Sequence, residues 1–166
     1  MQRVFEGDQQ AFTCLVELHL TPIHHYALRL SGSRADADDL AQDTFLKARQ
    51  KASAYRARKA RLSTWLHRIA HNLWVDEVRR RRPLPIDTEP VVDGPHTARE
   101  REDRAGAVNA ALARLPENQR CALVLCAQQG MSNAEAAMVM GLGVRAVESL
   151  LARARGRLKA ELSDAI

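Results

Sequence analysis

Four prolines, Pro83, Pro85, Pro90 and Pro95, interspersed with Asp87, Glu89, Asp93 and Gly94, forbid a continuous helix across residues 83–98. Proline lacks the backbone N–H that a helix needs and clashes with the preceding turn, and the acidic residues leave too little apolar surface to bury. A structureless loop of that length is uncommon inside one compact domain. The stretch therefore reads as a flexible linker that divides the 166-residue chain into two small units, 1–82 and 99–166. On both sides apolar residues recur at helical spacing and alternating strand patterns are absent, so the expected fold is all-α. In the first unit the pattern predicts helices at 9–20, 22–30 and 35–50, a looser basic segment at 51–61, and a helix from Ser63 or Thr64 to Arg82. Pro22 is taken as a break. In the second unit helices are expected near 99–115, 117–129, 133–140 and 144–162, with Pro116 separating the first two.

Charge is uneven along this frame. Lys and Arg outnumber Asp and Glu 15 to 9 over residues 1–83, fall to 3 against 6 over 84–107, and lead 7 to 5 over 108–166. Two basic units thus flank an acidic connector, and the formal charge of +5 points to an anionic partner. No stretch approaches the roughly 20 apolar residues of a membrane span, and the opening Met1 to Asp8 lacks the order of a signal peptide, so the expected location is cytoplasmic. Cys14, Cys121 and Cys126 are odd in number and form no Cys-x-x-Cys pair, which predicts buried free thiols rather than a disulfide framework or zinc knuckle. No Gly-rich phosphate loop, nucleophile elbow or acid pair is present. No catalytic residue and no cofactor are therefore assigned, and the chain reads as a binding protein rather than an enzyme.

Residues 131–157 read as a helix-turn-helix. Ser132 and Glu135 have the spacing of a capping box, and Gly141-Leu142-Gly143 supplies a sharp turn. In the helix that follows, Val147, Leu151, Ala154 and Leu158 share one stripe that must be buried, leaving Arg145, Ser149, Ala152, Arg153 and Gly156 outward. A small, polar and basic face of this kind suits a helix that enters the major groove. A plain helical hairpin with a solvated face would look the same locally.

The first unit carries two contrasting helices. In the helix 35–50, Ala37, Ala41, Thr44 and Ala48 form a small inward stripe, while Asp36, Asp39, Asp43, Leu46 and Gln50 share the other side. Those carboxylates would repel DNA, so an acidic face around an exposed Leu reads as a protein-docking surface, with simple solvation as the alternative. The fourth helix is expected to bury Trp65, Leu66, Ile69, Ala70 and Leu73 and to show His67, Arg68, His71, Val75, Val78, Arg79 and Arg82, with Asn72 and Asp76 on one edge. The loop before it adds Tyr55, Arg56, Arg58, Lys59 and Arg61. Cations interleaved with aromatics suit melted nucleic acid, whose charge they neutralise and whose unstacked bases they support. His67 and His71 have the i, i+4 spacing of a helical metal site, but no third ligand is evident and no metal is assigned.

Taken in order, these elements resemble a bacterial RNA polymerase sigma factor of the extracytoplasmic-function group, group 4. The likeness rests on Gly7 to Phe12, Asp36 to Ala48, Thr64 to Arg82, Leu115 to Arg120 and Met131 to Leu158. It implies a region 2-like helical bundle at 1–82, a linker at 83–98 and a region 4-like helix-turn-helix domain at 99–166. It implies docking on core RNA polymerase through Asp36, Asp39, Leu40, Gln42, Asp43 and Leu46. The −10 promoter element would be met by Tyr55, Arg58, Arg61, Arg68, His71, Asn72, Arg79 and Arg80, and the −35 element by Arg145, Glu148, Ser149, Arg153 and Arg155. It also implies an anti-sigma factor as a partner. Two positions depart from the family pattern: Glu148 stands where Lys or Arg is frequent, and Ala136 where Ile is usual. Two other classes compete with this reading. A repressor that binds duplex DNA as a symmetric dimer leaves the acidic helix unexplained, and a protein adaptor leaves Arg79 to Arg82 without use.

Overall fold

The structure, a computed structural model, describes residues 1–81 and 108–163. The linker assigned to 83–98 and Arg82 lie outside the described residues. Every element of the described residues is helical. A short α1 (Gln2–Phe5) turns into α2 (Gln9–Ser31), whose start is capped by Asp8. The Asp8 carboxylate accepts from the Ala11 N–H at 2.9 Å and pairs with Arg3 at 2.6 Å. The backbone hydrogen bond and the Arg3 guanidinium hold this carboxyl below its usual range.

The break expected at Pro22 does not occur, and α2 runs through it. A proline inside a helix costs about 3 kcal/mol or more. Leu15, Ile23, Tyr26, Ala27 and Leu30 are all buried along this helix, and each large apolar side chain contributes about 1.5–3 kcal/mol. Burial on both sides of Pro22 therefore outweighs the lost hydrogen bond. Gly32, at φ 68°, ends the helix, and Ser33 caps α3 (Arg34–Gln50) by accepting from the Asp36 N–H at 3.3 Å. A single 3-10 turn at Ala52–Ala54 leads toward α4 (Leu62–Arg81). Helices α2, α3 and α4 pack into one bundle.

The second unit comprises α5 (108–113), α6 (Glu117–Leu123), α7 (Asn133–Met140) and α8 (Val144–Ser163). The helix expected to continue to Gln129 instead widens into a π turn over Val124–Gln128, where the Gln129 N–H donates to the Val124 carbonyl at 3.0 Å. The wider turn keeps both Val124 and Leu125 buried while the chain swings out through Gly130.

The two units share one continuous core. Helix α7 packs along α4, and α6 meets α2. The seam differs in character from the bundle interior. From the first unit it receives Tyr26, Thr64 and His67; from the second, Cys121, Gln129 and Glu135. The Cys121 thiol sits against the Tyr26 phenol, and burial pushes it up to about 12. Thr64 Oγ1 and His67 Nε2 are buried without a hydrogen-bond partner, although Glu135 and Gln129 face them. A buried polar group left unpaired costs about 1–3 kcal/mol.

Candidate nucleic-acid interface

The helix-turn-helix forms from local signals. Ser132 Oγ accepts from the Glu135 N–H at 3.2 Å while the Glu135 carboxylate accepts from the Ser132 N–H at 3.0 Å, completing the capping box. Those bonds, the backbone one first, hold the Glu135 carboxyl below its usual range. Gly141, at φ 66°, ends α7, and its N–H donates to the Ala137 carbonyl. That left-handed conformation is one that an L side chain rarely adopts. In α8, Val147, Leu151 and Ala154 are buried and Leu158 is half-buried. Arg145, Glu148, Ser149, Ala152, Arg153, Arg155 and Gly156 are all exposed. Ser149 and Ala152 are short, so the helix can approach a groove floor while the arginines reach outward.

Helix α4 departs from expectation. Arg68, Asn72, Arg79 and Arg80 are exposed, but His67 and His71 are buried, at 2% and 5% of full exposure. His71 is therefore corrected from a DNA-facing residue to an interior one. Its Nδ1 lies 3.1 Å from the Tyr26 hydroxyl. Burial lowers the His71 pKa to about 4 and raises that of Tyr26, so a protonated phenol donates to an unprotonated ring nitrogen. Burial also lowers His67, whose Nδ1 donates to the Ser63 carbonyl at 2.8 Å. Of the two tryptophans, Trp74 is buried and Trp65 half-buried, with Leu73 half-buried as well. Trp65 packs at a tilt against Tyr55, ring centres 5.3 Å apart and planes at 59°, and the Tyr55 hydroxyl donates to the Ala60 carbonyl at 3.2 Å. This contact orders the basic loop in which Arg58 and Arg61 stay exposed. Arg68 and Arg79 lie eleven positions apart on one helix, so the exposed cations span roughly 16 Å.

Arg81, within the run of arginines, is turned elsewhere. Its guanidinium bonds both oxygens of Asp36 at 3.1 Å and also pairs with Glu77, tying the end of α4 to the start of α3. The Arg81 contact holds the Asp36 carboxyl below its usual range.

On α3, Asp39, Gln42, Asp43 and Leu46 are exposed, and Asp36 is half-buried. Leu40 is a second correction. It is buried in the core, because at 100° per residue it lies within one stripe with Ala37, Ala41 and Thr44. The spacing already carried that signal. Beside the acidic face runs an open groove of about 680 Å³, lined by Phe12, Val16 and Leu20 of α2 and by Ala41, Phe45 and Leu46 of α3. The contribution of α2 was missed, although Phe12, Val16 and Leu20 recur at i, i+4. Among the described residues, no group of three His, Cys, Asp or Glu side chains could hold a metal, and no helix is long and apolar enough to cross a membrane.

The sequence matches the Sigma-70 region 2 family over residues 15–83 and the Sigma-70 region 4 family over residues 105–158. These are the two domains of a transcription initiation factor of the sigma-70 type. It is 40% identical over 156 residues to the ECF RNA polymerase sigma factor SigM of Mycobacterium tuberculosis, covering 92% of this chain and 77% of that protein. The fold is similar to that of CnrH, solved in complex with the cytosolic domain of CnrY, at TM-score 0.76 and 31% identity over 98% of this chain and 94% of the other. It is also similar to the sigma factor RpoE of Bartonella quintana, solved with the anti-sigma factor NepR, at TM-score 0.74 and 27% identity over 93% and 98% of the two chains. The chain belongs to the extracytoplasmic-function RNA polymerase sigma factors, which bind core polymerase and direct promoter-specific initiation.

Proposed function

We propose that this sigma factor divides its work among three faces. The exposed carboxylates of α3, with Leu46 and the adjoining groove, dock on core RNA polymerase. The loop 51–61 and the exposed residues Arg68, Asn72, Arg79 and Arg80 of α4 hold the opened −10 strand. Arg145, Ser149 and Arg153, flanked by Glu148 and Arg155, meet the −35 duplex through α8. The observation that carries this reading is the segregation of exposed charge: carboxylates around an apolar groove on α3, arginines among short side chains on α8. The first face repels nucleic acid and the second attracts it, so one chain has both a protein-docking and a DNA-reading surface. The chemistry of transcription belongs to the polymerase, and this chain contributes binding and placement. It acts in the cytoplasm under an anti-sigma factor that holds it from the polymerase, a partner of the kind bound to its structural relatives.

The test is transcription in vitro with core RNA polymerase on a library of genomic fragments. New start sites sharing two spaced elements support the proposal, whereas DNA binding without core-dependent transcripts refutes it. Asp39→Lys with Asp43→Lys should reduce core association at least a hundredfold with helical circular dichroism unchanged, and retention of binding would overturn the docking assignment.

A further inference from the structure

Among its described residues α8 carries one exposed carboxylate, and that carboxylate has no local task. Two other acids of the second unit are occupied. Glu135 caps α7 and pairs with Arg61 across the seam at 3.7 Å, and the half-buried Glu161 lies 3.9 Å from Arg114. Glu148, by contrast, is exposed, and no cation of the described residues lies within ion-pair distance of it, Arg145 one turn back included. On a face that must approach a polyanion, an unneutralised carboxylate weakens binding to every sequence alike. Only a contact that the neighbouring arginines cannot make, acceptance from a base amine, offsets that loss.

The geometry of α8 brings Glu148 to the bases. At about 100° per residue, Arg145, Ser149, Ala152 and Gly156 fall within roughly 40° of one line. Ser149, Ala152 and Gly156 are short, so a helix about 10–12 Å across can seat deeply in a major groove about 12 Å wide. Glu148 flanks that line by roughly 60° at the start of the second turn, and Arg153 by roughly 80° on the other side. A flanking side chain of a deeply seated helix is level with the base edges. Those edges offer two amine donors, cytosine N4 and adenine N6. Adenine shows its amine beside the N7 lone pair, which repels a carboxylate, whereas cytosine shows its amine with no acceptor next to it. Guanine and thymine present acceptors there and no amine.

We infer that Glu148 is a specificity-determining residue of this sigma factor: its carboxylate accepts from the N4 amine of a cytosine, holding one position of the −35 element to a C·G pair. The inference rests on the assignment of α8 to the −35 duplex made above. Arg145 and Arg153 supply positive charge for guanine edges and phosphates. Glu148 lowers the affinity for duplex in general and recovers it at one base, so its contribution is discrimination rather than strength.

The test uses holoenzyme assembled with core RNA polymerase, a promoter library randomised across the −35 element, and sequencing of the transcripts. The unaltered protein should favour cytosine at one −35 position about tenfold over the other bases. Glu148→Gln should move that position to adenine, whose N6 and N7 edge an amide matches, and Glu148→Lys should move it to guanine. Glu148→Ala should lose the cytosine preference and gain no other. The remaining positions should stay as they were, because Glu148 is exposed and holds no neighbour in place. A selective −35 element that is the same in all four proteins would overturn the inference alone. So would a rise in transcription from every sequence alike with Glu148→Gln, the mark of simple repulsion from phosphate. A −35 element that tolerates every base at every position with the unaltered protein would refute the assignment of α8 itself, and the inference with it.

Discussion

The outward faces of α8 and α4 were read from sequence by the same rule and met different fates. In α8 Val147, Leu151 and Ala154 of the apolar stripe are buried, Leu158 is half-buried, and every residue placed opposite them is exposed. In α4 the same rule placed His67 and His71 outside, and both are interior. Periodicity reports which side of a helix differs in polarity; it does not report how many neighbours the helix has. Helix α8 packs with α6 and α7, leaving a broad free face, whereas α4 is met by α2 and α3 of its own unit and again by α7. The second contact links residues far apart in sequence, and no local pattern encodes it.

The comparison can be broken or sharpened by measurement. The largest effect is expected at the inner side of α8. Leu151 is 3% exposed, and Leu151→Ala should cost about 2 to 5 kcal/mol in denaturant melts. A loss below 1 kcal/mol would mean that the stripe is not the core of the second unit.

The buried histidine of α4 should show itself through pH. Burial lowers the His71 pKa to about 4 in the folded protein, from 6.5 in the unfolded chain, so the unfolded chain takes up the proton first as pH falls. Stability is then fully present above pH 6.5 and declines toward pH 4, by about 2 kcal/mol between pH 7 and pH 5. His67 shifts in the same direction. Tyr26 faces His71 and stays protonated in this range, and His19 near His67 is also lowered by burial. Urea melts of His71→Gln should show a shallower decline; an unchanged slope would place the responsible group elsewhere.

A functional contrast comes next in size. Arg153→Glu should weaken −35 duplex binding about tenfold, the scale of one lost base or phosphate contact, with core association unchanged. Loss of both would locate the damage in folding. The smallest effect belongs to the seam pair, because Arg61 is 82% exposed on its side chain. Arg61→Ala should change global stability by less than about 1 kcal/mol, and less still at high salt. A larger loss in melts would show the seam to be as firmly built as the bundle.

The same contrast explains how much was legible beforehand. Ser132, Glu135 and Gly141 act within a few residues of themselves, and α7 has the bounds expected, Asn133–Met140. The acidic helix begins at Arg34, one residue before the expected Ala35, and its stripe of Ala37, Ala41, Thr44 and Ala48 is buried as its spacing requires. Leu40 lay within reach of that rule and was misplaced by following the resemblance instead. Pro22 shows the opposite failing. A local rule predicted a break, and burial of Ile23, Tyr26, Ala27 and Leu30 overrode it. The bond between Arg81 and Asp36 joins residues 45 positions apart and had no counterpart in any sequence pattern.

The amino-acid sequence by itself determined the capping box and bounds of α7, the inward stripes of α3 and α8 and the division of charge between those two helices, because these depend on residues within one or two turns of each other. Tertiary structure alone decided which polar faces remain open. Covering α4 with α7, turning Arg81 onto Asp36 and closing Cys121 against Tyr26 are contacts between distant segments, settled by which surfaces fit once the helices have formed.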